Sequence, residues 1–346
     1  MVDRPRDFVE FKTTIQAVLD GNERILDSSG KTSEVQLKTY IVESSASVST
    51  ATSAIGRPHG LDTEGWYALE RPGLSEFLVL DASDTRVWRL FSLLSAAESD
   101  QVVESWIARV SGLDHCWLSR HQLLRWINQP GWRQRGVGLH FNDGLASEDE
   151  SGNFSLKAWH GAQTLVPGLD QLLHTAQETF AISSVRWQRV SNGETSLMAE
   201  CYSNGKITFN RATDVDETLT FSSALAHRYR ASLAEANELR ASTMAPFEFQ
   251  FSQPVNLDAF GEAVGRGRFP MRLWLAEVEH KPDFRRYRGV DMHTWDRVFL
   301  DIAPSYAYLT IPSDGCVNAA PRIATVQGED NSGKTNIYFD GVEMFV

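Results

Sequence analysis

Two Asn-Gly dipeptides, Asn192-Gly193 and Asn204-Gly205, constrain the fold of this chain more than any other local feature. A two-residue type I′ turn needs positive φ at both central positions, which Asn-Gly adopts readily, and its twist matches the strands it joins. The runs around the two dipeptides alternate through Val185/Trp187, Leu197/Ala199/Cys201 and Ile207/Phe209. Together they predict a three-stranded antiparallel meander near 182–211. A long helix near 222–241 follows, its apolar stripe formed by Phe221, Leu225, Tyr229, Leu233, Ala236 and Leu239. From Phe247 the chain is strand-rich: 247–251 alternates, as do parts of 270–278, 297–302, 305–311 and 322–327, with a short helix beginning near Asn256.

Upstream, Phe8, Phe11, Ile15, Val18 and Leu19 recur at helical spacing and Gly21 follows in the C′ position, which predicts an amphipathic helix over 6–20. Val35, Leu37, Thr39 and Ile41 alternate as a half-buried strand does. Seven of the ten residues from Ser44 to Ser53 are Ser or Thr, which compete for their own backbone hydrogen bonds, so an irregular connector is expected there. Strands follow at 77–80 and 87–91, then a helix with the stripe Val102, Val103, Trp106, Ile107 and Val110. Ser119 and Gln122 form a capping-box pattern ahead of Leu123, Leu124, Trp126 and Ile127, and Pro130-Gly131 closes that helix. Strands near 136–141 and 154–159 flank the acidic run Glu148-Asp149-Glu150, and Pro167 opens a helix carrying Leu169, Leu172, Leu173 and Ala176.

This order lacks regular βαβ alternation, so the expected class is α+β with mainly antiparallel sheets. The division it suggests is an N-terminal helix–strand arm (1–43), a Ser/Thr-rich connector (44–60), an α+β domain (61–178) and a β-rich α+β domain (179–346).

Composition narrows the functional classes. The longest stretch without a charged residue, Ser44 to Gly56, is short of the roughly 20 apolar residues of a membrane helix. The first dozen residues hold six charges where a secretory signal needs an apolar core. A cytoplasmic protein is therefore expected. Cys116, Cys201 and Cys316 form no CxxC pair, which leaves neither a disulfide framework nor a zinc ribbon.

The net charge of −12 is unevenly spread. Residues 105–141 carry Arg109, Arg120, Arg125, Arg133 and Arg135 against Asp114, with Trp106, Trp117, Trp126 and Trp132 among them. Residues 264–289 carry seven basic groups against three carboxylates. Guanidinium groups hold phosphates and aromatic rings stack on bases, so the Arg/Trp segment is a candidate polyanion surface. Helical spacing assigns Trp106 and Trp126 to the core. The candidates that remain are Arg125, Trp132, Arg133, Arg135 and His121, with Trp117 as a second stacking ring.

Two further patterns carry chemistry. In the first, an extended 289–293 would put Asp291 and His293 on one face, where with Asp296 and Glu277 they could share a divalent metal ion. Glu279-His280-Lys281 in the same region fits the ExK element of a nuclease site. A solvated face of alternating charges accounts for the same residues. The second is Gly328 to Thr335, which satisfies GxxxxGK[ST], the nucleotide phosphate-binding loop. The residues after Thr335 alternate as a strand, however, where that loop requires a helix, and a polar hairpin loop explains the string as well.

The leading expectation is a non-catalytic binding or assembly protein with no cofactor, contacting nucleic acid or another polyanion and protein partners but no membrane. The alternatives are a metal-dependent hydrolase or nuclease using the 277–301 cluster, and a nucleotide-binding protein using 328–335.

Overall fold

The computed structural model describes residues 4–21, 24–26, 32–34, 36–71, 77–125, 131–142, 153–159, 175, 181–243, 245–265, 267, 269–312, 315–330 and 334–345. The chain runs through α1 (Phe8–Leu19), β1 (Arg24–Leu26), β2 (Thr32–Glu34), β3 (Lys38–Ser44), α2 (Val48–Ile55), β4 (Arg57–Gly60), β5 (Trp66–Glu70), β6 (Leu78–Asp81) and β7 (Val87–Ser92). Next come α3 (Ala96–Arg109), β8 (Leu113–His115), α4 (Arg120–Arg125), β9 (Trp132–Asn142), β10 (Asn153–Trp159), β11 (Ser184–Ser191), β12 (Glu194–Tyr202), β13 (Lys206–Ala212) and α5 (Val215–Thr243). The remainder is β14 (Phe247–Phe251), α6 (Leu257–Gly265), β15 (Leu273–Lys281), β16 (Phe284–Asp291), β17 (Asp296–Ala303), β18 (Tyr306–Thr310), α7 (Ala319–Asp330), β19 (Thr335–Phe339) and β20 (Val342–Glu343). The fold is α+β, with an antiparallel sheet of eleven strands and another of seven. No described helix is long and apolar enough to cross a membrane.

Two compact units divide the chain. The first comprises 1–116, 128–134 and 186–230; the second comprises 117–127, 135–185 and 231–346. The eleven-stranded order is β10-β9-β11-β12-β13-β3-β7-β6-β5-β4, with β8 paired to the end of β3.

In the first unit both faces of the sheet are covered. Tyr40, Val42, Trp88, Leu90, Leu78 and Leu80 face α2 and α3, meeting Ala51, Ile55, Val103 and Trp106. On the opposite face Phe11 of α1 packs on Trp66 and Phe91, and Phe221 of α5 meets Phe209. The N-terminal helix is thus part of the core rather than a separate arm. β3 is buried along its whole length, not on one face as its alternation suggested. Its charges are met inside: Arg86 donates to Glu43 at 3.0 Å, and Lys38 donates to the Leu94 and Gln36 carbonyls. Arg89 donates to Asp81, to the Leu219 carbonyl and to the Ser222 hydroxyl, tying β6 and β7 to α5.

The expected connector at 44–53 is instead the end of β3 and helix α2. Ser47 caps it by accepting the Thr50 N–H, and Thr52 and Ser53 donate their hydroxyls to the helix's own carbonyls. Packing supplies what propensity lacks: Ala51 and Ile55 are buried, and the Trp106 indole N–H donates to the Ala51 carbonyl at 2.8 Å.

The meander is present as β11–β12–β13. Its first turn has positive φ at both Asn192 and Gly193, as type I′ requires. The second differs: only Gly205 has positive φ, and its N–H donates to the Tyr202 carbonyl at 3.0 Å, a longer loop closed by a left-handed glycine. A Cβ there would lie 2.9 Å from two backbone oxygens, those of Cys116 and Ile41, so the loop is pressed against the core.

The second unit contains the seven-stranded sheet, order β15-β16-β17-β18-β14-β19-β20. Leu275, Leu300, Leu309, Phe247, Phe249 and Phe339 lie on its buried face, covered by α6 and α7. Asn256 caps α6 by accepting the Asp258 and Ala259 N–H groups. The stretch 322–327, expected as a strand, is helical: Ala319, Ala320, Ile323 and Val326 form a buried stripe, and the apolar run inside it is too short to distinguish the two periods. Arg322, 0% exposed, donates to Asp291 at 2.6 Å and ties α7 to β16. The Ser119–Gln122 capping box starts α4 as expected. Trp126, Ile127, Glu148–Glu150 and the helix expected after Pro167 lie outside the described residues.

Two consequences are measurable. Burial, then the neighbouring Lys206 charge, pushes the Lys38 ammonium down to about 8 from its ordinary 10.5. Between those values the unfolded chain holds a proton that folded Lys38 has released, so stability rises with pH there. Denaturant melts of the wild type referenced to Lys38→Met should show the difference moving in favour of the wild type by up to about 3 kcal/mol between pH 7.5 and 10.5. A flat difference contradicts the buried cation. Second, Arg322→Met strands the Asp291 carboxylate and should cost about 3–5 kcal/mol, most of it recovered in the double variant with Asp291→Leu.

Candidate nucleic-acid interface

Because α6 and α7 cover one face of the seven-stranded sheet, the period-two alternation of its strands turns the other set of side chains outward. Pairing register sorts that set into rows. Trp274, Val290 and Arg297 form one row; Ala276, Arg288, Phe299 and Thr310 the next; Arg286, Asp301, Tyr308, Glu248 and Tyr338 a third. Tyr306 stands beside Gln250 and Asn336 in a fourth. Trp274 is 60% exposed, and Phe299, Tyr306 and Tyr308 are also exposed, an unusual concentration of aromatic surface on one sheet face.

The charges on this face are interleaved with the rings. Arg288 lies over the Phe299 ring, 5.9 Å from its centroid, and Tyr306 and Tyr308 stand 5.4 Å apart. Arg286 donates to both Asp301 oxygens at 2.8 Å and to Glu279 at 3.1 Å, and the Asp301 hydrogen bonds raise its pKa. Among the described residues no carboxylate reaches ion-pair distance of Arg288 or Arg297. The Glu248 carboxylate opposite Tyr308 pushes that phenol's pKa upward. A depression of about 360 Å³ lies on this face, bounded by Arg286, Arg288, Phe299, Asp301 and Tyr308. That volume is at the lower end for small-molecule sites.

The residues expected to form a polyanion surface are placed otherwise. Trp132 packs on Phe221, centroids 5.2 Å apart, with the Arg189 guanidinium over its ring, so its faces are already used. Arg133 is exposed, whereas Arg135 is buried at 9% exposure. His121 lies 3.6 Å from Glu343, and Trp117 is buried in the core, as Trp106 is. The side chain of Arg125 lies outside the described residues.

The carboxylate cluster does not converge either. Asp291 is engaged by Arg322 and also accepts the His293 N–H at 2.9 Å, and Asp296 is its partner across β16 and β17. His293 is in the turn after β16, not on an extended strand, and is fully buried. Glu277 lies four residues along β15 from Leu273, the residue opposite Asp291, which puts it about 13 Å away along the strand. Glu277 instead meets His280 at 2.9 Å. Lys281 contacts Glu279 at 2.6 Å, and this bond, first, and the nearby cations hold the Glu279 carboxyl below its ordinary range. These are solvated ion pairs at strand ends.

Around 328–335 the order is helix α7, then strand β19, the reverse of the strand–loop–helix order that cradles nucleotide phosphates. It is therefore not the hairpin expected from sequence, although the strand after Thr335 is present. The Thr335 hydroxyl donates to Gln327, and the Lys334 N–H donates to the Ser252 hydroxyl. Asn331–Gly333 lie outside the described residues.

Sequence reasoning singled out a different set of aromatic residues. Trp274, Phe299, Tyr306 and Tyr308 are spread over three strands, and only pairing register aligns them. The basic excess at 264–289 was the available signal, since it supplies Arg286 and Arg288.

Comparison with known proteins adds a family. The sequence family described as MJECL33-like protein matches residues 4–328. The uncharacterized protein MJECL33 of Methanocaldococcus jannaschii is 22% identical over 337 residues, an alignment covering 83% of this chain and 82% of that protein. No solved structure matches. The extent of the family match makes this chain a member of the MJECL33-like protein family.

Proposed function

We propose that this chain is a non-catalytic binding protein that takes single-stranded nucleic acid on the open face of the seven-stranded sheet. The observation that carries the reading is the exposed array of Trp274, Phe299, Tyr306 and Tyr308 with Arg288 and Arg297 among them. Unpaired bases stack on such rings, each contact contributing about 1–3 kcal/mol, and guanidinium groups between the rings contact phosphates. A duplex keeps its bases stacked on one another and cannot use the rings. Asp301 and Glu248 set a local limit on phosphate density, because both stand in the row that Arg286 and Tyr308 share.

Fluorescence anisotropy with a labelled oligo(dT) or oligo(U) across a salt series tests the reading. Trp274→Ala and Phe299→Ala should each weaken binding roughly tenfold with little change in the slope of log affinity against log salt, since stacking releases no counterions. Arg288→Ala with Arg297→Ala should reduce that slope by about 1.4, at ~0.7 per phosphate contact. Equal affinity of the wild type and the ring variants, or no binding at low salt, refutes the proposal.

A further inference from the structure

Resting on the sheet-face reading just given, we infer that the unpaired nucleic acid passes over Trp295, whose ring stacks a base beyond the end of β17, and that it runs along β17 from Trp295 past Arg297 to Phe299. Trp295 lies in the turn that joins β16 to β17 between the paired residues Asp291 and Asp296. Its φ is 64°, in the left-handed region that a bulky side chain rarely adopts. Asn192 and Asp340 share a positive φ but are residue types that tolerate it, and Arg272 and Phe345, which share it too, are buried. Trp295 is 55% exposed, so packing returns little for its conformation.

The turn is held from beneath before any ligand arrives. The Trp295 N–H donates to the Asp291 carbonyl at 2.6 Å, and the Asp291 carboxylate accepts the His293 N–H at 2.9 Å and the Arg322 guanidinium at 2.6 Å. A costly backbone conformation persists only where its surroundings over-determine it, and such positions cluster at binding sites. The buried Asp291–Arg322 pair is that surrounding here. A ring fixed in this way adds little ordering cost on binding.

Position along β17 sets the path. Asp296 stands between Trp295 and Arg297 in sequence, but its Cβ is directed to the covered side, 3.5 Å from where a Cβ on Gly315 would lie, just ahead of α7. Arg297 and Phe299 both face outward, roughly 6.8 Å apart along the strand, and Arg288 stands opposite Phe299. The order of ring, guanidinium and ring places a phosphate contact between two stacked bases. The next outward residue is Asp301, and Glu248 shares its row, so carboxylates oppose phosphates in that direction. The phosphates therefore run from Arg288 and Arg297 toward Trp295 and leave the sheet there.

Anisotropy of the full chain with labelled oligo(dT) tests this ring apart from those of the sheet face. Trp295→Gly should weaken binding about tenfold with the salt slope unchanged, while Trp295→Tyr keeps most of the affinity. Because glycine adopts positive φ freely, the glycine variant should melt at or above the wild-type temperature. Vesicles of anionic phospholipid, another surface on which exposed tryptophans settle, should not cosediment with the chain. If the wild type binds and Trp274→Ala weakens that binding, but folded Trp295→Gly binds as the wild type does, this inference fails and the sheet-face reading stands. No oligonucleotide binding by the wild type removes both. A clear fall in the melting temperature of Trp295→Gly assigns the ring to the fold, and vesicle cosedimentation lost in that variant assigns it to a membrane surface; either result overturns the inference.

Discussion

One-sided cover of the seven-stranded sheet is the constraint from which the candidate surface follows. Strand residues alternate between faces, so when α6 and α7 bury one face the sequence must supply residues tolerant of water on the other. Small polar residues and threonines would satisfy that requirement. This chain instead places Trp274, Phe299, Tyr306 and Tyr308 there, rings whose exposure costs solubility and returns nothing to the buried core. Under the proposed reading their energetic return comes from contact with a ligand, and the arginines between them restrict what that ligand is.

The first unit shows the opposite arrangement and its consequence. Its sheet is covered on both faces, so every charge on its central strands needs an internal partner. Glu43 has Arg86, Lys38 has two carbonyls, and Arg89 has Asp81 together with groups on α5. Lys206 donates to both Asp100 oxygens at 2.7 Å, and the Tyr40 hydroxyl donates to the same carboxylate. Burial and that carboxylate push the Tyr40 phenol far above its ordinary range. Such groups fix the register of strands and the seating of helices. They are consumed by the architecture and have little left with which to bind a ligand, which is why a strongly perturbed group such as Lys38 is read as structural.

What could be read from the sequence follows the range over which the information acts. The meander, the α4 capping box and the stripe of α5 are set by residues within a few positions of one another, and each is found where local chemistry places it. The misread elements are those decided at a distance. Helix α2 forms from a Ser/Thr-rich stretch because Trp106 accepts Ala51 and Ile55 as neighbours, and α7 forms because Arg322 has a buried carboxylate to reach on β16. Trp132 looked available for stacking because its partners, Phe221 and Arg189, are remote in sequence. The aromatic face was illegible for the same reason, since its members come into line only through the pairing of β15, β16, β17 and β18.

Charge decides how strong and how selective the sheet face can be. At physiological ionic strength the chain's net charge of −12 is largely screened beyond the Debye length of about 8 Å, so a polyanion at the sheet face would respond mainly to the charges close to it. Arg286 is already neutralised by Asp301 and Glu279, so the proposed reading rests its phosphate contacts on Arg288 and Arg297. Two such contacts give a weak salt dependence, so stacking has to carry most of the affinity. Four exposed rings accommodate only a few bases, and bases held within a duplex offer no free faces to them. Under the proposed reading the surface favours short unpaired segments over long or double-stranded nucleic acid, with ring geometry rather than net charge deciding what is bound.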